Sequence, residues 1–335
     1  MKPRLLDYLC DPIDKSNIRL VDPVYDKMGN ILHGSLVSGS GNRYPIREGV
    51  PRFVDQTALS ETVESFGNEW NYFNFDQFKL NWLNHTVKNT FGSIDVFKDR
   101  VVVDCGAGSG MQSLWMSQAG AEYVISLELS HSVDGIMKKN LSGADNVDVV
   151  QCSIDQPPLK EACINGIVIC HNVIQHTPSV EKTAHALWKI IGESGEFVFN
   201  CYPKNDSGLV RKARLAIYYV MRNVLSRQSF NVILRYAKFL SLLRLVPILG
   251  WLLEKSFLMV RGDVPAGPNW LKRAYKLGVL NTYDCYGAHT YQHLKTDDEI
   301  RNLVRALQPD KAKVLNEDKY FLRPQPIGIA LRLFK

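Results

Sequence analysis

The segment VVVDCGAGSG, residues 101–110, decides the fold. Its first five residues are apolar except for Asp104, and glycine then occupies every second position, at Gly106, Gly108 and Gly110. Strand interiors disfavour both Asp and Gly, so this pattern indicates the end of a buried strand followed by a tight turn. A strand, a glycine-rich turn and a helix N-terminus together favour a ligand site, because bare backbone allows close approach and its N–H groups favour a negative group.

Strand-like and helix-like patterns alternate after this turn. The predicted strands are 101–105, 123–129, 147–153, 166–172, 196–202, 312–316 and 326–334, and the predicted helices are 111–120, 132–141 and 180–191. Thr296 and Glu299 predict a capping box for one further helix. Continuously apolar strands that alternate with helices indicate an α/β fold, a Rossmann-like, mostly parallel seven-stranded sheet with helices on both faces.

The chain divides into three predicted parts. Residues 1–57 form a small β-rich domain, 58–98 a linker with covering helices, and 99–335 the large domain with a helical insertion at 207–262, after the fifth strand. The start of the chain has no apolar run typical of a signal peptide. The seven cysteines are scattered and mostly lie in apolar runs, which favours reduced, buried thiols in the cytoplasm over a disulfide framework.

A second acid closes the second predicted strand. Glu128 can accept hydrogen bonds from both hydroxyls of a ribose, each contributing roughly 1.5–3 kcal/mol when partly buried. A solvated carboxylate at a strand end is the alternative interpretation. The turn itself reads D-x-G-x-G-x-G, which is one residue tighter than the G-x-G-x-x-G of dinucleotide sites.

On these residues the chain from about 61 to 335 resembles the class I S-adenosylmethionine-dependent methyltransferases, of the methyltransferase-11 type. The resemblance implies S-adenosylmethionine as cofactor, and Ser153 stands where the family usually has Asp. The cofactor contacts that it implies are Asp104, Gly106, Gly108, Gly110, Glu128, Leu129, Ser153, Ile154, His171 and Asn172. The runs HTP (176–178) and GESGEF (192–197) resemble the subset that acts on small molecules, sugars and quinones. The expected activity is O- or C-methylation of a small-molecule acceptor.

Candidate catalytic residues lie in two places. His176 follows the fourth predicted strand, at the sheet edge where α/β sites open. The segment YDCYGAHTYQHLKTDDE contributes the other candidates, which are Asp284, Tyr286, His289 and His293. Packing of a lid against the sheet is the alternative for each of them. Metal binding by His289 and His293, which are four residues apart, is a further alternative. We nevertheless expect no metal site, because the sequence offers no third ligand of known placement nearby.

The first 57 residues resemble the zinc-ribbon domain of the Trm112-like family, chiefly through RYPIREGVPRF, residues 43–53. That family holds zinc with two C-x-x-C pairs. The corresponding positions here are Asp11, Asp14, Val37 and Ser40. The resemblance therefore implies a domain that holds together by packing alone, without zinc.

The predicted insertion is strongly basic. Ten basic residues and a single acid lie between Ser207 and Arg261, so the remainder of the chain is net negative. The insertion is either a lid with a solvated basic face or a basic amphipathic surface for anionic lipid or a phosphorylated, lipid-linked substrate. Its longest uncharged stretch is too short and too broken to span a bilayer. A nucleic-acid partner is disfavoured because the Lys and Arg residues of the insertion alternate with aliphatic rather than aromatic residues.

Two functions therefore remain open. The first is a methyltransferase with an acidic or lipid-linked small-molecule acceptor, in the cytoplasm or peripheral at the inner membrane face. The second is a non-catalytic protein that binds S-adenosylmethionine or acts as a scaffold at the membrane surface. The sequence also leaves a homodimer open.

Overall fold

The computed structural model describes residues 1–54, 61–73, 75–204, 208–256, 258, 269–287, 291–314 and 329–335. The chain divides into two compact units. The first contains Met1–Leu59, Asn74–Pro203 and Tyr291–Lys335, and the second contains Ser60–Phe73 and Lys204–Thr290. The helical block inserted after the fifth strand of the large sheet thus extends past the predicted boundary at residue 262.

The first unit begins with the expected small β-rich domain. Its antiparallel sheet consists of β1 (Ile18–Tyr25), β2 (Ile31–Ser38), β3 (Arg43–Arg47) and β4 (Val50–Pro51). Leu5, Leu9 and Leu36 are fully buried in the same apolar core as Tyr123 and Ile125. The domain therefore packs directly against one face of the large sheet.

The large sheet confirms the predicted fold. Its strands are β5 (Val101–Cys105), β6 (Tyr123–Glu128), β7 (Val147–Gln151), β8 (Ile167–Cys170), β9 (Glu196–Cys201), β10 (Lys311–Val314) and β11 (Ile329–Phe334). The strand order is β10-β11-β9-β8-β5-β6-β7. Strands β5 to β9 pair in parallel, and β11 is antiparallel to both of its neighbours.

Both faces of this sheet are apolar. Val102 and Val103 are adjacent in β5, yet they belong to separate hydrophobic clusters on the two sides of the sheet. Side chains alternate between the faces of a strand, so a strand covered on both faces reads as one continuous apolar run. The burial of both faces explains why these strands are recognisable in the sequence as continuous apolar runs.

The helices of the described residues are α1 (Glu61–Tyr72), α2 (Lys79–Asn81), α3 (Lys88–Thr90), α4 (Met111–Gln118), α5 (Ile136–Asn140), α6 (Val180–Lys189), α7 (Leu209–Leu225), α8 (Phe230–Leu243), α9 (Pro247–Ser256), α10 (Trp270–Tyr286) and α11 (Asp297–Leu307). The capping box of α11 is confirmed: Glu299 N–H donates to Thr296 Oγ1, and Thr296 N–H donates to the Glu299 carboxylate. The helix predicted at 132–141 is instead a 3-10 turn, His131–Asp134, followed by α5. Gly135 separates the two with a non-helical backbone, φ −109° and ψ −109°.

The second unit consists of α1 and α7 to α10. Its core contains three buried tyrosines, Tyr218, Tyr283 and Tyr286, packed among aliphatic residues such as Ile233. Ser65 Oγ of α1 lies 3.2 Å from Tyr283 Oη of α10. Among the residues that the structure describes, no helix combines the length and the apolar character needed to cross a membrane.

Hydrogen bonds to the Asp11 carboxylate organise one end of the N-terminal domain. Asp11 is fully buried and accepts hydrogen bonds from Ile13 N–H at 2.7 Å, Asn42 Nδ2 at 3.0 Å and Tyr44 Oη at 3.0 Å. Burial alone would raise the pKa of this carboxyl, but these hydrogen bonds hold it below its usual value. The relation of the domain to the Trm112-like family stays a prediction.

The cysteines agree with the expectation of unpaired thiols. All seven are free, and five of them are buried. Burial raises the pKa of each thiol.

Candidate functional site

The turn between β5 and α4 carries three glycines in the left-handed region. Their φ angles are 78° at Gly106, 58° at Gly108 and 77° at Gly110. A Cβ atom at Gly106 would lie 2.5 Å from Cγ1 of Val173, which is closer than any side-chain atom tolerates. Gly106 therefore determines both the course of the turn and its close approach to the loop after β8.

Asp104 lies directly before this turn and is almost completely buried. Its carboxylate accepts a hydrogen bond from Ser113 Oγ at 2.6 Å, and Ser113 Oγ in turn accepts one from Ser126 Oγ at 2.8 Å. Burial raises the pKa of Asp104 to about 6, against the opposing hydrogen bond from Ser113 and with a further increase from the negative Glu128. The carboxyl is therefore mostly ionised at neutral pH.

Glu128 ends β6 beside the same turn. One carboxylate oxygen accepts the Gly108 N–H at 2.7 Å, and the other accepts the Ser130 N–H at 2.8 Å. Ser132 Oγ also donates to the Gly108 carbonyl at 2.7 Å. The ends of β5 and β6 are thus tied together by a buried carboxylate, with Gly108 as the shared partner.

The residues predicted on the adenine side follow the next strand ends. Glu128 pairs with Gln151 in the β6–β7 register, so Leu129 and the residues after Gln151 lie at adjacent strand ends. Ser153 Oγ donates to the Asp155 carboxylate, and Ile154 is buried. All ten predicted cofactor contacts therefore lie at the carboxyl ends of the parallel strands β5 to β8.

The loop after β8 is held by two amides. Asn172 has a left-handed backbone, φ 60°, and donates its N–H to Asn200 Oδ1 at 2.6 Å. Asn200 Nδ2 returns a hydrogen bond to Asn172 Oδ1, also at 2.6 Å. Sequence reasoning missed Asn200, although an amide inside the apolar strand EFVFNC could have signalled it.

His171 precedes this pair and is partly exposed, although its Nδ1 atom is buried. Burial lowers the pKa of its imidazole to about 4. Its Nδ1 atom is buried without a hydrogen-bond partner among the described residues. Such an atom costs roughly 1–3 kcal/mol unless a ligand supplies the missing partner.

Two of the predicted catalytic histidines lie in one polar cluster. His176 Nδ1 is 3.2 Å from the Tyr291 carbonyl, and the Tyr291 and His293 rings stack with their centroids 6.0 Å apart. His293 N–H donates to the Gln175 carbonyl at 2.8 Å. The Gln175 side chain is fully buried, and neither its oxygen nor its nitrogen has a partner in the described part of the chain. Sequence reasoning missed Gln175, which no local pattern distinguishes.

The remaining candidates lie elsewhere. Asp284 and Tyr286 belong to α10 of the second unit, where the fully buried Tyr286 ring lies 5.7 Å from that of Tyr218. Burial raises the pKa of Tyr286, which keeps its phenol neutral. His289 lies outside the described residues. In the same unit, burial and the nearby Asp284 raise the pKa of Glu69, a buried carboxyl that the sequence analysis did not identify.

Residues 103–199 match a protein family described as a methyltransferase domain. The chain is 24% identical over 147 residues to the ubiquinone biosynthesis O-methyltransferase of Erwinia tasmaniensis, an alignment that covers 44% of this chain and 57% of that protein. The protein of the same name from Azoarcus sp. is 29% identical over 141 residues, which are 42% of this chain and 57% of the relative. The chain thus spans little more than half the length of these curated relatives.

Among solved structures, the S-adenosylmethionine-dependent methyltransferase of Mesorhizobium loti aligns with 76% of this chain and 100% of its own length, at 13% identity and a TM-score of 0.42. The family match is the more informative comparison for the site, because the matched residues contain the whole glycine turn, Glu128 and the loop after β8.

Replacement of Gly106 by Ala tests the close approach of the turn and the loop. We expect Gly106→Ala to lower the free energy of unfolding by about 2–5 kcal/mol, because left-handed strain and a steric clash with Val173 add together. Gly92→Ala is the matched control: Gly92 has φ 88°, but a Cβ there meets nothing within 4 Å, so a loss of only about 1–2 kcal/mol is expected. Denaturant titration measures both, and Val173→Ala should recover part of the Gly106→Ala loss. Equal losses in the two glycine variants would contradict the steric argument.

Proposed function

We propose that this chain is an S-adenosylmethionine-dependent methyltransferase. The observation that carries the proposal is the position of the Glu128 carboxylate, which is bonded to Gly108 N–H and Ser130 N–H beside the glycine turn. A carboxylate offers about four lone-pair sites, so these two bonds leave acceptor capacity for ribose hydroxyls. The match of residues 103–199 to a methyltransferase domain supports the same function.

The residues at the strand ends fit the cofactor group by group. Asp104 and the bare backbone of 106–110 would hold the methionine part, and Glu128 would hold the ribose. Leu129, Ser153 and Ile154 would hold the adenine, and His171 and Asn172 would line the site. Asp104 is mostly ionised at neutral pH, which suits the ammonium group of a methionine.

When bound, S-adenosylmethionine supplies a methyl group on a positively charged sulfur. The part of this chain is to hold the nucleophilic atom of the acceptor about 3 Å from that methyl carbon, on the axis of displacement. A hydroxyl nucleophile must also lose its proton, and a positioned histidine contributes about 10²–10⁴-fold to such a step. His176 and His293 are the proposed bases. The buried amide of Gln175 is available to bind the acceptor.

The acceptor that we propose is a small molecule with a hydroxyl or phenol group, or an activated carbon, as in natural-product, sugar or quinone biosynthesis. The curated relatives are named for O-methylation in ubiquinone biosynthesis, which favours oxygen as the methylated atom. Asp284, Tyr286 and His289 stay candidate catalytic residues under this proposal.

The corner between α8 and α9 supports a lipid partner. Seven large apolar side chains are exposed there: Phe239, Leu242, Leu245, Val246, Ile248, Trp251 and Leu252. On α9, Ile248, Trp251 and Leu252 are 78%, 58% and 50% exposed and share one helix face. Contiguous exposed apolar surface of this kind marks an interaction site.

Positive charge accompanies this apolar corner. Arg235 is exposed on the outer face of α8, one turn before Phe239, with Lys238 half-buried beside it. Apolar side chains flanked by cationic ones complement an anionic lipid surface. We therefore propose that the corner contacts anionic lipid and that the acceptor is acidic or lipid-linked, which would place the enzyme in the cytoplasm at the inner membrane face.

Removal of the Glu128 charge tests the cofactor site. We expect Glu128→Gln to weaken binding of S-adenosylhomocysteine at least about tenfold, because charge-assisted hydrogen bonds to the ribose are lost. Isothermal titration calorimetry gives the affinity. The control is Glu122→Gln, an exposed carboxylate one residue before β6, which should bind like the wild type. Absence of any heat with the wild-type protein would refute the proposed cofactor, and unchanged affinity in Glu128→Gln would refute the ribose contact.

Replacement of the clustered histidines tests the catalytic role. We expect His176→Ala or His293→Ala to reduce turnover about 10²–10⁴-fold while leaving affinity for S-adenosylhomocysteine nearly unchanged, since a general base acts on the acceptor. Release of S-adenosylhomocysteine with phenolic acceptors is the assay, and the exposed His185→Ala is the control. Full activity in both cluster variants would remove these histidines as bases. Cofactor binding without turnover on any acceptor would favour the non-catalytic alternative.

Sedimentation with vesicles tests the lipid contact. We expect the wild-type protein to bind phosphatidylglycerol vesicles more tightly than phosphatidylcholine vesicles, and less tightly at high salt. The double variant Ile248→Glu with Trp251→Glu should lose this binding. Met28→Glu, which alters an equally exposed apolar residue of the N-terminal domain, should retain it. If the double variant instead changes the oligomeric state and leaves vesicle binding intact, the corner is a homodimer interface.

A further inference from the structure

The N-terminal domain places one buried arginine at the edge of the large sheet. Arg52 follows β4 and pairs in parallel with Gln151, the last residue of β7. The backbone N–H of Phe53 donates to the Gln151 carbonyl at 2.8 Å. The side chain of Arg52 is only 2% exposed. Because a buried guanidinium needs acceptors, its partners indicate its role.

Both side-chain partners of Arg52 lie outside the N-terminal domain: Gln151 ends β7, and Asp134 lies in the segment after β6. Its Nη1 donates to Gln151 Oε1 at 2.7 Å, and Nη1 and Nη2 donate to the two carboxylate oxygens of Asp134 at 3.2 Å and 2.5 Å. Asp134 lies in the 3-10 turn after β6. The arginine thus connects the end of β7 to the segment that follows Glu128.

Gln151 continues this connection to the turn. With its oxygen bound to Arg52, its Nε2 donates to the carbonyls of Leu129 and Ser130, at 3.1 Å and 3.4 Å. The N–H of Ser130 donates to Glu128, and Glu128 accepts the N–H of Gly108. An unbroken series of hydrogen-bonded residues therefore runs from the N-terminal domain to the glycine turn.

We propose that Arg52 is a positioning residue for Glu128, the carboxylate assigned to the ribose. Through Arg52, the N-terminal domain sets the geometry of the cofactor site. Arg52 itself touches neither Glu128 nor the glycine turn; it fixes the amide of Gln151, which in turn fixes the backbone at 129–130. The proposal rests on the proposed function, because it assigns Glu128 to the cofactor.

The competing explanation is that Arg52 only fastens the domain to the sheet. Asp148 allows the two roles to be separated, since it lies on the same strand, is buried and also binds the N-terminal domain. Its carboxylate accepts the backbone N–H of Lys2 at 3.0 Å and 3.2 Å and the hydroxyl of Tyr123 at 2.5 Å. None of these bonds leads to the segment after Glu128.

The experiment compares Arg52→Gln with Asp148→Asn in the full chain. Both variants should lower thermal stability, because each loses a buried contact between the domain and the sheet. Only Arg52→Gln should weaken binding of S-adenosylhomocysteine, about tenfold, as expected when one charge-assisted hydrogen bond no longer orients the site. Arg52→Lys should recover part of the affinity, since a lysine keeps the charge but cannot bind both partners in the same fork.

A second measurement needs no ligand. Amide hydrogen exchange at Gly108 and Ser130 should be faster in Arg52→Gln and unchanged in Asp148→Asn. Equal loss of affinity in the two variants, or unchanged exchange at these two amides in Arg52→Gln, would overturn the proposal. If the wild-type protein binds no S-adenosylhomocysteine, the proposed function fails, whereas the exchange rates still decide whether Arg52 orders the segment.

Discussion

A buried carboxylate shared by two strand ends is the constraint on which this site depends. Glu128 accepts the N–H groups of Gly108 and Ser130, and it is nearly inaccessible to solvent. A buried negative charge is tolerated only when hydrogen bonds replace its hydration. Gly108 can present its N–H in this way because it adopts φ 58°, a conformation that costs most other residues energy. The glycine spacing of the turn and the acid at the end of β6 therefore form one hydrogen-bonded unit, although 20 residues separate Gly108 from Glu128.

The N-terminal domain also depends on the large sheet. Its apolar side chains lie in a core shared with the large sheet, so they are buried only while the domain covers the strands of that sheet. Within the domain, the Asp11 carboxylate accepts hydrogen bonds from the side chains of Asn42 and Tyr44. Because small domains bury too little apolar surface to be stable alone, we expect this domain to fold together with the sheet.

The sequence predicted the sheet and the last helix well, because both leave local patterns. Buried parallel strands read as apolar runs, and the capping box of Thr296 and Glu299 spans four residues. The polar partners of the site left no such pattern. Arg52 reaches Asp134 and Gln151 across 82 and 99 residues, and Asn200 meets Asn172 only because β8 and β9 are neighbours. Such contacts depend on strand order, which the sequence alone did not reveal.

The buried thiols have a practical consequence for solution work. Thiolate, not thiol, reacts with maleimides and other electrophiles, and burial both hinders access and disfavours the thiolate. All seven native cysteines have a raised pKa, and five are buried. A cysteine introduced at an exposed position is therefore expected to react with a fluorophore or spin label faster than the five buried thiols, and Cys163 and Cys285 are the two native positions to replace first for distance measurements.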